Sequence, residues 1–111
     1  MKFQVEQRGD VLIVFLQERL DAATATMLED QLSTLINNGS KKLLLNMQNT
    51  KYLSSAGVRG LLSVHRKMCH HEGLLILCEL QEEVLDILRI AGFDNVLQIC
   101  ETEKVSFSYF L

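Results

Sequence analysis

Proline is absent from the 111 residues, and no stretch reads as a linker between domains. Long apolar runs are missing too. The longest, Val11 to Leu16, covers six residues, whereas a membrane-spanning helix needs about 20, so no membrane insertion is expected. Cysteine is scarce. Cys69, Cys78 and Cys100 are odd in number and widely spaced, which gives neither a disulfide framework nor a CxxC zinc pattern. Reduced thiols in a cytoplasmic protein are the expectation, and Met1-Lys2-Phe3-Gln4-Val5-Glu6 does not read as a signal peptide. An excess of positive charge is also lacking. Eleven basic residues stand against 14 acidic ones, a net charge of −3, and no basic stripe interleaved with aromatics occurs. Direct nucleic-acid binding is therefore not expected. No GxxxxGK appears, which excludes a P-loop NTPase.

Hydrophobic residues make up 48% of the chain, enough for a packed core in a single domain of this length, residues 1–111. Phe3 and Val5 alternate with Lys2, Gln4 and Glu6, as in a half-exposed strand, and Arg8-Gly9-Asp10 is a turn. Val11 to Leu16 reads as a buried strand. Asp21 can cap a helix, assisted by Thr24, with Leu28, Leu32, Leu35 and Ile36 inward and Gly39 as its left-handed stop. Leu43 to Leu45 and Leu74 to Cys78 are further buried strands. Between them runs a helix with Val58, Leu61, Leu62, His65, Met68 and Cys69 on its inner side, closed by Gly73. A third helix covers Gln81 to Ala91, with Val84, Leu85, Leu88 and Ala91 inward and Gly92 and Phe93 at its exit. A last strand covers Val96 to Ile99, and a terminal helix over 101–111 has weak propensity. The order β-β-α-β-α-β-α-β, with that helix last, makes an α/β fold whose sheet is mostly parallel with an antiparallel first strand.

The chain is organised around Tyr52-Leu53-Ser54-Ser55-Ala56-Gly57-Val58-Arg59-Gly60-Leu61-Leu62. An apolar strand leads into the polar loop Asn46 to Lys51, then two serines, then a helical pattern. Serine at that point is an N-cap signal, because its oxygen can accept an unpaired backbone N–H. Ser54 and Ser55 thus belong at a helix N-terminus, at the carboxyl edge of a parallel sheet, where ligands and partners dock. A phosphate there is favoured by the helix and adds about −1.5 to −2 charges. Position alone fits a plain cap equally well. Gly57 and Gly60 each cost a helix about 1 kcal/mol against alanine, which points to a close approach by another backbone, either internal or a partner's.

The segment Asn46 to Arg59 resembles the signature of bacterial STAS-domain anti-sigma factor antagonists: an apolar strand ending in Asp or Asn, a short loop, then Asp/Ser-Ser-Ser/Ala-Gly-Leu. Leu20-Asp21-Ala22-Ala23-Thr24-Ala25 is similar to the family's Leu-Asp-x-x-x-Ala element, and Gly73-Leu74-Leu75-Ile76-Leu77 to its entry into the next strand. The resemblance implies the STAS fold, with about five strands in sequential order and helices largely on one face. It also implies a function without catalysis or cofactor. The unmodified chain would bind an anti-sigma factor, often a serine kinase with a histidine-kinase-like ATPase fold. Phosphorylation would release it, and a PP2C-type phosphatase would reset it. Aligning Gly57 with the family glycine makes Ser55 the phosphoacceptor, with Ser54 the alternative, standing where many members carry Asp. Asp21, Asn46, Ser54, Ala56, Gly57 and Arg59 would support the phosphosite or contact the partner. STAS domains also serve as accessory subunits of lipid-transport ATPase complexes, a second reading in which phosphorylation is irrelevant.

His65, Cys69, His70 and His71 are the only cluster with metal-ligating chemistry, and Cys78 or Cys100 would have to complete a set. Packing explains His65 and Cys69 better, so no metal is expected. Ser55 and His65 are ten residues apart, about 15 Å along a helix, too far for direct proton transfer.

Overall fold

A computed structural model describes residues 3–110. The elements in order are β1 (Gln4–Arg8), β2 (Val11–Phe15), β3 (Arg19–Leu20), α1 (Ala22–Asn37), β4 (Lys42–Asn46), β5 (Tyr52–Leu53), α2 (Ser55–His70), β6 (Leu74–Cys78), α3 (Glu82–Ile90), β7 (Gln98–Cys100) and α4 (Glu103–Ser106), which runs into a 3-10 turn at Phe107–Phe110. The main sheet has the order β1-β2-β4-β6-β7, with β1 antiparallel to β2 and every later pairing parallel. The mostly parallel sheet with an antiparallel first strand is the one the alternation of elements predicts, and its sequential order is the one the family resemblance implies.

Side chains alternate across the sheet and so divide the core in two. Val14, Leu43, Leu45, Leu75 and Leu77 pack with Leu28, Leu32 and Ile36 of α1, Leu61, Val64 and Met68 of α2, and Val84 and Leu88 of α3. Val11, Ile13, Leu44, Ile76, Cys78 and Cys100 point the other way, where Phe107 and Phe110 cover them. The three long helices thus share one face. Among the described residues, no helix is long and apolar enough to cross a membrane.

Several local expectations shift. The inner side of α2 uses Val64 and leaves Cys69 exposed. Ala91 is exposed as the C-cap of α3. Glu72, with φ 58°, takes the left-handed position after α2, one residue before Gly73. Gly73 is needed for space: a methyl group there would lie 2.7 Å from Met68 Cε and 2.9 Å from the Lys41 carbonyl oxygen. The last strand begins two residues late, because Val96 and Leu97 still donate their N–H groups to the Phe93 carbonyl in the turn after α3. The terminal helix is only α4 and the 3-10 turn.

The paired glycines of α2 serve internal packing. A methyl group on Gly57 would lie 2.3 Å from the Leu20 carbonyl oxygen, and one on Gly60 would lie 2.9 Å from Ala25 Cβ. Both helices therefore approach at small residues, and Gly57 faces rigid backbone. Gly57→Ala should lower unfolding free energy by about 2 kcal/mol or more, despite alanine's better helix propensity. Gly60→Ala should cost less, since a side chain can shift. Urea denaturation midpoints at unchanged m-value check the order.

Candidate functional site

The loops that follow β2 and β4 are joined by a two-stranded parallel ladder. It pairs Arg19 with Tyr52 and Leu20 with Leu53. The Glu18 carbonyl accepts from the N–H groups of Lys51 (2.8 Å) and Tyr52 (3.1 Å), and the Leu20 carbonyl accepts from Ser54 N–H (3.0 Å). Buried Thr50 donates its hydroxyl to the Gln17 carbonyl at 2.9 Å. Leu20 and Leu53 point into the core, so the period-two alternation turns Arg19, Asp21, Tyr52 and Ser54 to the other side of the ladder.

The two serines have different surroundings. Ser54 is the N-cap of α2. Its backbone is extended, and its hydroxyl oxygen accepts Gly57 N–H at 3.1 Å while lying 3.5 Å from the Leu20 carbonyl oxygen. The Ser54 hydroxyl is thus half-buried and in use. Ser55 is the first helical residue and is exposed, and its hydroxyl makes no hydrogen bond among the described residues. The free N–H groups of a first helical turn and its partial positive charge lie beside it.

Asp21 is the N-cap of α1, one residue beyond the carbonyl that holds Ser54. It forms a reciprocal box with Thr24. Thr24 N–H donates to Asp21 Oδ1 at 3.2 Å, and Asp21 N–H donates to Thr24 Oγ1 at 2.9 Å. Arg19 Nε lies 3.5 Å from Asp21 Oδ2, and the Arg19 guanidinium stacks 4.2 Å from the centre of the Tyr52 ring. The Thr24 backbone N–H first, then its hydroxyl, then Arg19 hold the Asp21 carboxyl below its ordinary pKa. Close in sequence to the serines and the ladder stand the cations Arg19, Lys51 and Arg59 and the carboxylates Glu18 and Asp21, and α3, which packs against β5, carries Glu82 and Glu83 in its first turn.

Of the other residues expected here, Ala56 is half-buried, Gly57 is buried beneath Leu20, and Arg59 is exposed one turn along α2 from Ser55. Asn46 makes its hydrogen bonds to the loop and the terminal segment, and none to either serine. Its Oδ1 accepts Gln48 N–H at 3.0 Å, and its Nδ2 donates to Glu103 Oε2 of α4 at 2.8 Å. Those bonds tie the strand end to the terminal segment. Arg19 and Tyr52 are the members of the site that sequence reasoning missed. Their i, i+2 spacing with Asp21 and Ser54 in two parallel tripeptides, Arg-Leu-Asp and Tyr-Leu-Ser, was the available signal.

The metal or thiol alternative loses its parts. His65 Nε2 and Cys69 Sγ are 3.7 Å apart, but Cys78 and Cys100 lie in register on β6 and β7 under the terminal segment, on the far face of the sheet. Burial pushes the Cys78 thiol up to about 12. Among the described residues, no three His, Cys, Asp or Glu side chains gather as a metal site.

Ser54→Ala should cost about 1 kcal/mol through the lost cap, while Ser55→Ala should stay within about 0.5 kcal/mol of the parent; paired urea titrations check this. Asp21 has a depressed folded pKa, so its contribution is present above the unfolded value, about 3.9, and is lost as pH falls through the folded value. Asp21→Asn keeps a capping side chain and should flatten that part of the stability profile below about pH 4. The difference between the parent and variant pH series is the measurement.

A family model described as STAS domain matches residues 2–105. The chain is 29% identical over 110 residues to "Putative anti-sigma factor antagonist BtrV" of Bordetella bronchiseptica, covering 99% of this chain and 95% of that protein. A Thermotoga maritima crystal structure given the same description shares 17% identity at a TM-score of 0.90, over 97% of this chain and 93% of that one. The anti-sigma factor antagonist SpoIIAA of Bacillus in its unphosphorylated form gives 21% identity and a TM-score of 0.81, over 96% and 94%. Its phosphorylated form gives 20% and 0.73, over 96% and 97%. The solved structures speak for the fold, and the family model spans all but the ends of the sequence: the chain belongs to the STAS domain family.

Proposed function

We propose that this chain, as one STAS domain over residues 1–111, is a cytoplasmic anti-sigma factor antagonist. In this reading it is a binding switch without catalytic activity of its own. Unmodified, it binds an anti-sigma factor that is also a serine kinase of the histidine-kinase-like ATPase fold. Ser55 Oγ then attacks the γ-phosphorus of ATP, ADP leaves, and the hydroxyl proton passes to a base of the kinase or to water. The phosphorylated chain is released, and a PP2C-type phosphatase hydrolyses the phosphoester.

The observation that carries this reading is the division between the two serines. Ser54 is committed to Gly57 N–H, whereas Ser55 presents an unbonded, exposed hydroxyl at the helix tip. Modification of Ser55 leaves the cap intact, so the fold tolerates it. A phosphate adds about −1.5 to −2 charges at the exposed tip of α2. Burying that dianion in a close interface is costly. Arg59, at i+4 from Ser55, stands on the same helical face as the new charge. The relatives' descriptions and the two forms in which SpoIIAA has been solved support the same reading.

Incubation with the organism's histidine-kinase-like anti-sigma factor and ATP, followed by mass spectrometry, should place one phosphate on Ser55. Ser54→Ala should still be modified. Ser55→Ala should bind the kinase but never release it, and Ser55→Asp should bind about tenfold more weakly, equivalent to about 1.4 kcal/mol. Phosphate on Ser54, or parental binding by Ser55→Asp, would overturn the assignment.

A further inference from the structure

We propose that Arg19 is the moving part of this site. In the unmodified chain its guanidinium rests between the Tyr52 ring and Asp21; a phosphoryl group on Ser55 draws it away from Asp21 and holds it. The inference rests on Ser55 being the modified residue and adds the group that receives the modification.

Three observations carry it. The first is position. The β3–β5 ladder pairs Arg19 with Tyr52 and Leu20 with Leu53, so the next residues along both chains are Asp21 and Ser54, with Ser55 following. The guanidinium already extends along the ladder as far as the Asp21 carboxylate, which brings it toward the helix tip.

The second is the looseness of its present hold. The Arg19 Nε to Asp21 Oδ2 distance is 3.5 Å, well beyond the roughly 2.7–2.9 Å of a tight charge-assisted bond. The N–H and hydroxyl of Thr24 hold the other oxygen, Asp21 Oδ1, so the carboxylate keeps its cap when Arg19 leaves Oδ2. The Arg19 side chain is 59% exposed, so nothing buried is disturbed when it turns. A phosphate offers three oxygens and up to two charges to a planar fork suited to bidentate contact, and a shared carboxylate at this distance is the weaker competitor.

The third is preorganisation. Stacking 4.2 Å from the centre of the Tyr52 ring confines a side chain that is otherwise among the most flexible, so less freedom is lost when it closes on the phosphate. Lys51 and Arg59 are the other cations near the serines. Neither has an aromatic support of this kind.

The test installs phosphoserine at position 55 of the full chain during translation and follows it by phosphorus NMR as pH is varied. An unperturbed phosphoserine loses its second proton near pH 6. The parent should titrate about half a unit or more below Arg19→Ala, with Arg19→Lys in between because it keeps the charge and loses the fork. Arg59→Ala should retain most of the shift. The Tyr52 ring resonances should move on phosphorylation in the parent and stay in place in Arg19→Ala. Identical titration of the parent and Arg19→Ala, or complete loss of the shift in Arg59→Ala, would overturn the proposal. No kinase takes part, so a chain that no kinase modifies would end the switch function while leaving this result standing, and the reverse also holds.

Discussion

The Leu20 carbonyl group is the joint on which the site depends. It accepts the N–H of Ser54 at 3.0 Å, and it sits where a side chain on Gly57 would have to go. Both contacts need the absence of a Cβ in the first turn of α2. Together they fix the start of α2 against the start of α1, because Leu20 is followed at once by Asp21, the cap of α1. Two helix tips are thereby held side by side at the carboxyl edge of the sheet, each with its own side-chain cap. The glycine that lowers helix propensity by about 1 kcal/mol is what allows one loop backbone to enter the notch.

The rest of the fold serves that edge from two sides. Behind it, the apolar faces of β2, β4 and β6 pack against α1, α2 and α3 and make the helix tips rigid. On the far face, α4 and the 3-10 turn cover Cys78 and Cys100, and Glu103 joins Asn46 to Arg8 through bonds of 2.8 and 3.0 Å. Asn46 therefore anchors the strand end from below, while the serines face solvent above. The strand-end amide is a structural partner of the terminal segment, which explains why a buried polar side chain is satisfied at that point.

Local chemistry was legible in the sequence, and long-range pairing was not. Asp21 and Ser54 could be read as caps because capping is decided within four residues, and Leu43 to Leu45 and Leu74 to Cys78 as buried strands because their apolar runs are continuous. The β3–β5 ladder escaped because two residues carry no periodicity. Arg19 over Tyr52 escaped with it, since their contact exists only once the ladder's register is known. The bond of Asn46 to the loop at Gln48 is local, whereas its second partner, Glu103, is 57 residues away and could not be read from the sequence. Cys69 was misassigned by one step around the helix: Val64, Leu61 and Met68 define the buried stripe, and Cys69 falls beyond its edge. Val96 reads as strand by its branched side chain, yet its N–H is still held by the turn after α3.

Two adjacent serines at one helix tip also resolve a conflict that a single serine would face. A hydroxyl that caps a helix must accept a backbone N–H and stay half-buried against the preceding loop, as Ser54 does with Gly57 and Leu20. A hydroxyl that accepts a phosphoryl group must be reachable and must leave the helix intact after it has changed charge. One side chain doing both would have to leave its contacts with Gly57 and Leu20 to reach a kinase. In the proposed switch, the cap at Ser54 and the exposed hydroxyl at Ser55 separate stability from switching by one residue. A phosphate at that exposed position would be favoured by the helix dipole while the cap stayed made.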